Sequence, residues 1–421
     1  MKKNTLLRLV ISIIFIPFLL NAQTEISGGI NENTTWTLEN SPYIITGDTV
    51  IFGDNTLTIE AGVTVKFDDD VQLRIQGPLI AIGNENENII FTSNSINPQR
   101  GSWKEIKLES NLICTLDYVI IEYADIALNY PRLDTSSSIK NSIIRSNNYG
   151  IKTSSSIQFP ITITSVKFID NDKGISDFHE ELNLINCEFK NNRIGAELVE
   201  SNIDMCLFEG NTGIALDGHT TIVQNSTFIE NNIALDQSFS GGSSTYPTII
   251  TGNTIKNNNI GLIINGNFNS NSSCTYNIIC NNTTYNIQHN TSASGHNLSN
   301  NCWCTEDIDE IENSIFHGLD DINYGIVIYD PIETDCIDVT LSLNSFPLSK
   351  NENQFYPNPV ENLIKFNNNS EKQFEIYTIH GKPIKAGLVK NNLDLSSLNK
   401  GIYLIKITES NNFTIEKLIK N

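Results

Sequence analysis

A repeat of about 23 residues constrains this chain more than any other feature. It appears in the segments SIIRSNNYGI, VKFIDNDKGI, CEFKNNRIGA, CLFEGNTGIA, STFIENNIAL, NTIKNNNIGL and NIICNNTTYN. The central apolar residue of each is an anchor: Ile144, Phe168, Phe189, Phe208, Phe228, Ile255 and Ile279, with Ile121 one period earlier. Successive anchors are 23, 24, 21, 19, 20, 27 and 24 residues apart. Three positions after seven of the eight stands an asparagine: Asn147, Asn171, Asn192, Asn211, Asn231, Asn258 and Asn282, with Ala124 the exception. Small residues follow six after the anchor at Ala127, Gly150, Gly174, Gly195, Ala234 and Gly261, and a short aliphatic stretch then resumes.

The pattern predicts a stack of coils, each made of two or three short strands joined at corners. Asparagine tolerates left-handed backbone angles and can pass side-chain hydrogen bonds to the asparagine of the next coil. No single repeat can bury its apolar face, whereas a stack buries a continuous column. The fold class is therefore all-β, a right-handed parallel β-helix. A leucine-rich horseshoe shares the period and a stacked Asn, and LNLINCEF at 182–189 resembles its repeat, but the leucine framework fails elsewhere. Upstream, 57–67, 73–77, 88–92 and 103–108 alternate apolar and polar residues as strands do. On these motifs the segment 45–338 resembles the secreted bacterial right-handed parallel β-helix repeat proteins, a resemblance that bears on fold and says little of activity.

Four segments are read from the chain: a signal peptide at 1–22, the β-helix at 23–338, a linker at 339–354 and a compact sandwich of about seven strands at 355–421. Lys2, Lys3 and Arg8 precede an apolar run from Leu9 to Leu20, and cleavage is expected after Ala22. That run is shorter than the ~20 residues of a membrane span, and no transmembrane span is expected in the mature chain. Residues 301–338 look like a closing cap, with Ile308, Ile311 and Ile315 on one face of a short helix. Net charge is −21 for the whole chain, −27 for 23–354 and +3 for 355–421. An acidic β-helix is a poor partner for nucleic acid. In the last segment, Tyr356-Pro-Asn-Pro359, a Gly381 turn, LSSLNKGIYLIKI and KLIK closely resemble the type A C-terminal sorting domain of the type IX secretion system. The resemblance implies the secretion machinery as partner, a Bacteroidota-type cell, and a location that is extracellular or on the outer-membrane surface.

Chemistry is harder to read. Eleven residues on from successive anchors lie Arg132, Ser155, His179, Glu200 and His219, and nine on from two of them lie Asp177 and Asp217. Asp177, His179, Glu200, Asp217 and His219 would then share one face, with carboxylates and imidazoles placed for acid and base work. Lys173 and Arg193 are the nearest cations for a lyase. Asp68, Asp69 and Asp70 form an acidic run suited to calcium, and no other cofactor is expected. Asp48-Thr49-Val50 fits a short bacterial O-glycosylation pattern.

Among eight cysteines, Cys187 and Cys206 would face inward in adjacent coils, as a bridge or as free thiols, and a bridge from Cys302 or Cys304 to Cys336 would staple the cap. A metal site at Cys302-Trp-Cys304 is the alternative. Trp36, Trp103 and Tyr123 are candidate aromatic platforms. Phosphate-loop, serine-hydrolase and zinc-protease motifs are absent from the sequence. The leading expectation is a secreted or cell-surface β-helix with a glycan-binding, adhesive or structural role and extracellular polysaccharide as a partner; the alternative is a polysaccharide lyase or glycoside hydrolase acting on an extracellular polysaccharide.

Overall fold

The computed structural model describes residues 23–109, 111–130, 133–153, 161–176, 182–238, 246–266, 271–334, 336, 355–366, 370–378, 383–409 and 412–420. The signal peptide expected at 1–22 and the linker at 339–354 lie outside these residues. The chain divides into two compact units at 340/341, and no helix among the described residues is long and apolar enough to cross a membrane.

The larger unit is a parallel β-helix with three strands to a coil. One coil runs through Ile161–Thr164 on a first face, Lys167–Ile169 on a second and Lys173–Ser176 on a third. The next repeats the path as Leu182–Ile185, Glu188–Lys190 and Ile194–Val199. Each strand pairs in parallel with its counterpart one coil on, so Ile163 faces Leu184, Phe168 faces Phe189 and Ile175 faces Ala196. The first face is an 11-stranded sheet running from Thr34–Trp36 to Ser273–Thr275. Such neighbours lie about 4.8 Å apart.

The anchors are the core. Phe168, Phe189, Phe208 and Phe228 are wholly buried, and their rings stack with centroids 4.8, 4.6 and 4.6 Å apart. Burying each such ring contributes about 1.5–3 kcal/mol. The small residues have a steric cause: a Cβ on Gly150, Gly174 or Gly195 would run into the carbonyl of Gly174, Gly195 or Ala215 one coil on.

The asparagine column forms a continuous ladder. Nδ2 of Asn147 donates to Oδ1 of Asn171 at 3.1 Å, and the pattern repeats through Asn192, Asn211, Asn231 and Asn258 to Asn282. The left-handed residue, however, is the one before each ladder asparagine: Ser146, Asp170, Asn191, Glu230, Asn257 and Asn281 have φ between 54° and 58°, and Gly210, before Asn211, has φ 65°. This differs from the expectation that the asparagine itself makes the turn. A left-handed residue swings the chain so that its own side chain faces out and the next faces in, where it can bond along the stack.

A second column of inward polar groups runs along the corner between the first and second faces; the inward Cys187 and Cys206 follow from the sequence spacing, whereas their continuation through Ser226 and three asparagines does not. There the amide of Cys187 donates to Sγ of Cys206 (3.4 Å) and that of Cys206 to Oγ of Ser226 (3.0 Å). Asn253, Asn277 and Asn301 continue the column.

At the C-terminal end, the helix Ile308–Asn313 is capped by Asp307, whose carboxylate accepts from the amides of Asp309 and Glu310. Ile311 and Ile315 are buried, but Ile308 is 49% exposed, because it opens the helix before the chain has turned inward. Two disulfides, Cys280–Cys304 and Cys302–Cys336, tie this region down.

The smaller unit consists of two antiparallel sheets. One orders Phe355–Tyr356, Leu363–Phe366 and Asn392–Asp394; the other orders Pro383–Val389, Lys372–Thr378, Gly401–Glu409 and Asn412–Lys420. Phe355, Ile364, Phe374, Ile376, Ile405 and Leu418 belong to their shared core.

Candidate functional site

The third face carries the densest chemistry. Its strands Ile194–Val199, Ile214–His219, Ile233–Ser238 and Ile260–Ile264 align Ile194, Ile214, Ile233 and Ile260 in one column. The small residue after each isoleucine, Gly195, Ala215, Ala234 or Gly261, and then Ala196, Leu216, Leu235 or Leu262 both face the core, a break in simple alternation. The next residue of each strand forms a second column, Glu197, Asp217, Asp236 and Ile263, which Ser176 and Lys152 extend toward the N-terminus and Gln288 toward the C-terminus. Three carboxylates thus stand on successive coils, about 4.8 Å apart along the backbone. Tyr285 follows Ile260 in the isoleucine column, and Lys173 and then Tyr149 precede Ile194 in it.

These carboxylates are differently held. Glu197 is buried and accepts from Lys173 Nζ at 2.7 and 2.9 Å and from Ser176 Oγ at 2.8 Å. Asp217 lies 3.8 Å from His219 Nε2, with 29% of its side chain exposed. Burial first, and then the charge of Asp236, raises Asp217 above the usual aspartate range. Burial likewise raises Asp236, opposed by the hydrogen bond that Asn265 Nδ2 donates to it at 2.5 Å. Of the two cations expected to serve chemistry, Lys173 is committed to Glu197, and Arg193 grips Asp172 at 2.6 and 2.8 Å. Lys152 Nζ sits 4.7 Å over the Tyr149 ring.

Asp217 and His219 lie on this face. Asp177 and His179, like Arg132 and Ser155, lie outside the described residues. Glu200 does not join the row of His219: Val199 pairs with His219, and Glu200 occupies the following corner at φ 48°, level with Thr220 at φ 53°. The counting failed because Phe189 and Phe208 are 19 residues apart while the strands starting at Ile194 and Ile214 are 20 apart, the extra residue being at the Thr212-Gly213 corner. Glu197 and Asp236 were missed for the same reason. Aligning IGAELV, IALDGH, IALDQS and IGLII on their own first residues reveals the column directly.

Other candidates have plainer surroundings. Asp68 accepts from Asn94 Nδ2 at 2.8 Å, and Asp70, at a left-handed corner beside exposed Asp69, lies 3.6 Å from Lys104. No group of three His, Cys, Asp or Glu placed to hold a metal ion occurs among the described residues. Cys302 and Cys304 are disulfide partners of Cys336 and Cys280, which removes them as thiolate ligands. Cys187 and Cys206 are buried free thiols.

Two of the three expected aromatic platforms, Trp36 and Trp103, are buried, and Tyr123 is half-buried. Trp36 and Trp103 are core residues, and Trp103 stacks on Phe67 at 4.0 Å and donates to the Glu122 carbonyl. Tyr123 occupies a corner at φ 66°. Thr49 is wholly buried, its hydroxyl donating to the Gly47 carbonyl, so the folded chain does not present that position for glycosylation.

Comparison with known proteins adds one finding. Residues 354–421 match the family model described as the secretion system C-terminal sorting domain. No curated protein matches the chain.

Proposed function

With a type IX sorting domain at its C-terminus the chain is an exported β-helix protein, and we propose that this β-helix binds an extracellular glycan along its third face. The observation that carries the reading is the pair of parallel columns, isoleucine beside carboxylate, repeated coil by coil. A polysaccharide is also a repeat, and its sugar rings present C–H faces to apolar side chains and hydroxyls to carboxylate acceptors. Tyr149 and Tyr285 offer rings at the ends of the track.

The charge on the face sets the class of glycan. Asp217 and Asp236 already resist ionisation beside one another, and Lys173 and Arg193 are occupied by carboxylates. A uronate polymer would add like charge to that column, whereas a neutral or amine-bearing glycan would not. Affinity electrophoresis through gels cast with neutral, amine-bearing and uronate polysaccharides tests this. Retardation by the first two, reduced in Asp236→Ala, is expected; retardation by uronates alone would sink the reading.

One observation favours a second reading, hydrolysis. Asp217 and Asp236 occupy paired positions on adjacent strands, and like charges so placed favour one protonated and one ionised carboxyl, the arrangement of a general acid beside a nucleophile. Release of reducing ends, with and without calcium, and its loss in Asp217→Asn, distinguishes hydrolase or lyase from binder.

A further inference from the structure

The cap contains a cluster of imidazoles outside the third-face columns. His289 Nε2 and His296 Nδ1 approach to 2.6 Å with their rings edge to face, and both residues are buried. They come from different pieces of the cap. His289 ends the strand Tyr285–His289 of the last full coil, and His296 lies in the strand His296–Asn297, which pairs with Val327–Ile328. The two rings therefore join the end of the β-helix to the two-stranded sheet that covers it.

Among the described residues, the groups around His289 supply little to hold a second positive charge. The neighbouring strand Ile260–Ile264 places aliphatic Ile264 against His289. His317, wholly buried, accepts from the Val327 amide at Nδ1, so its proton is on Nε2 and goes to Glu312 at 2.7 Å. Glu312, the carboxylate that the helix Ile308–Asn313 turns toward this cluster, is also the acceptor for the Tyr329 hydroxyl at 2.7 Å. Burial, then His296 and then His317, all disfavour charge on His289, with the Gly325 backbone the opposing influence. His296 is disfavoured by burial.

We propose that the His289–His296 contact is a proton-operated latch on the C-terminal cap, closed while one ring nitrogen of the pair remains free to accept and open when both rings are charged. One added proton is tolerable, because an imidazolium can donate to a neutral imidazole. A second puts two N–H groups and two charges face to face at 2.6 Å. The rings must then separate, and His296–Asn297 moves with Val327–Ile328 away from the last coil. No bond between heavy atoms is made or broken; each ring takes one proton from solvent hydronium onto its open nitrogen, leaving water.

The test is hydrogen exchange of the full chain between pH 7 and pH 4, corrected for intrinsic rates, reading the amides of Gly325 and Val327, which bond the Thr291 carbonyl and His317 Nδ1 across the line of separation. Their protection is expected to fall by up to about tenfold per pH unit for each proton linked to opening, while amides in 194–229 hold theirs. His296→Gln keeps a hydrogen-bonding side chain and removes one titrating ring, and it should abolish most of the fall. An acid response identical in His296→Gln and the parent would overturn the latch. Should that variant fail to fold, NMR titration of both rings in the parent decides: cap opening must follow the second protonation, and opening that tracks neither ring overturns it.

Discussion

Replacing Asn192 by alanine tests the logic of the stack at its centre. Asn192 is wholly buried and makes four ladder contacts with its side chain. Its Oδ1 accepts from the backbone amide and Nδ2 of Asn171 at 2.9 and 3.1 Å, and its Nδ2 donates to the Phe168 carbonyl at 2.9 Å and to Oδ1 of Asn211 at 3.2 Å. Truncation leaves the Asn171 amide without this acceptor in a dry site, at about 1–3 kcal/mol, and forfeits three more bonds at roughly 0.5–1.5 kcal/mol each. Since Asn171 Nδ2 keeps the Ile144 carbonyl, the expected loss is about 3–5 kcal/mol, toward the low end of the summed range. Asn192→Asp preserves shape but turns an oxygen toward the Phe168 carbonyl and Asn211 Oδ1, and it should cost at least as much at neutral pH. Urea denaturation of the full chain gives the global value. Hydrogen exchange at Asn171 and Asn192 shows whether the loss is confined to that coil and its neighbours, as nearest-neighbour stacking requires. A cost below about 1 kcal/mol for alanine, or tolerance of aspartate, would refute the ladder as a source of stability.

Three further outcomes follow from the same geometry. Phe208→Ala empties the middle of a ring stack and should destabilise by about 3–5 kcal/mol, measured by the same urea titration. Cys114 and Cys274 are buried, and desolvation pushes both thiols up to about 12, so iodoacetamide should leave them and the buried Cys187 and Cys206 unmodified at pH 8 until the chain is unfolded; mass spectrometry counts the adducts. Asp217 binds its proton more tightly folded than unfolded, so its contribution to stability is present in acid and lost as pH rises through the folded value. Asp217→Asn should accordingly raise the melting temperature at pH 7 and leave it unchanged near pH 3, while weakening glycan retention.

The sequence alone determined the architecture, because a solenoid is a local code written many times. Every coil must put an apolar anchor, a turn and an inward polar residue at nearly fixed spacing, so Phe168, Phe189, Phe208 and Phe228 and the seven ladder asparagines were legible by counting. The sorting domain was legible for the same reason: its motifs are contiguous. Tertiary structure alone decided which residues share the outer face. Strand register is reset at every corner, and one extra residue at Thr212-Gly213 separated Glu200 from His219 while bringing Glu197 level with Asp217. Turn geometry decided that Ser146 and Asn191, and not the asparagines beside them, take the left-handed angles. Cysteine pairing also required three dimensions, since Cys280 meets Cys304 across a coil and Cys302 meets Cys336 across the cap. Burial is a sum over neighbours distant in sequence, and it turned Trp36, Trp103 and Thr49 from candidate surface groups into core.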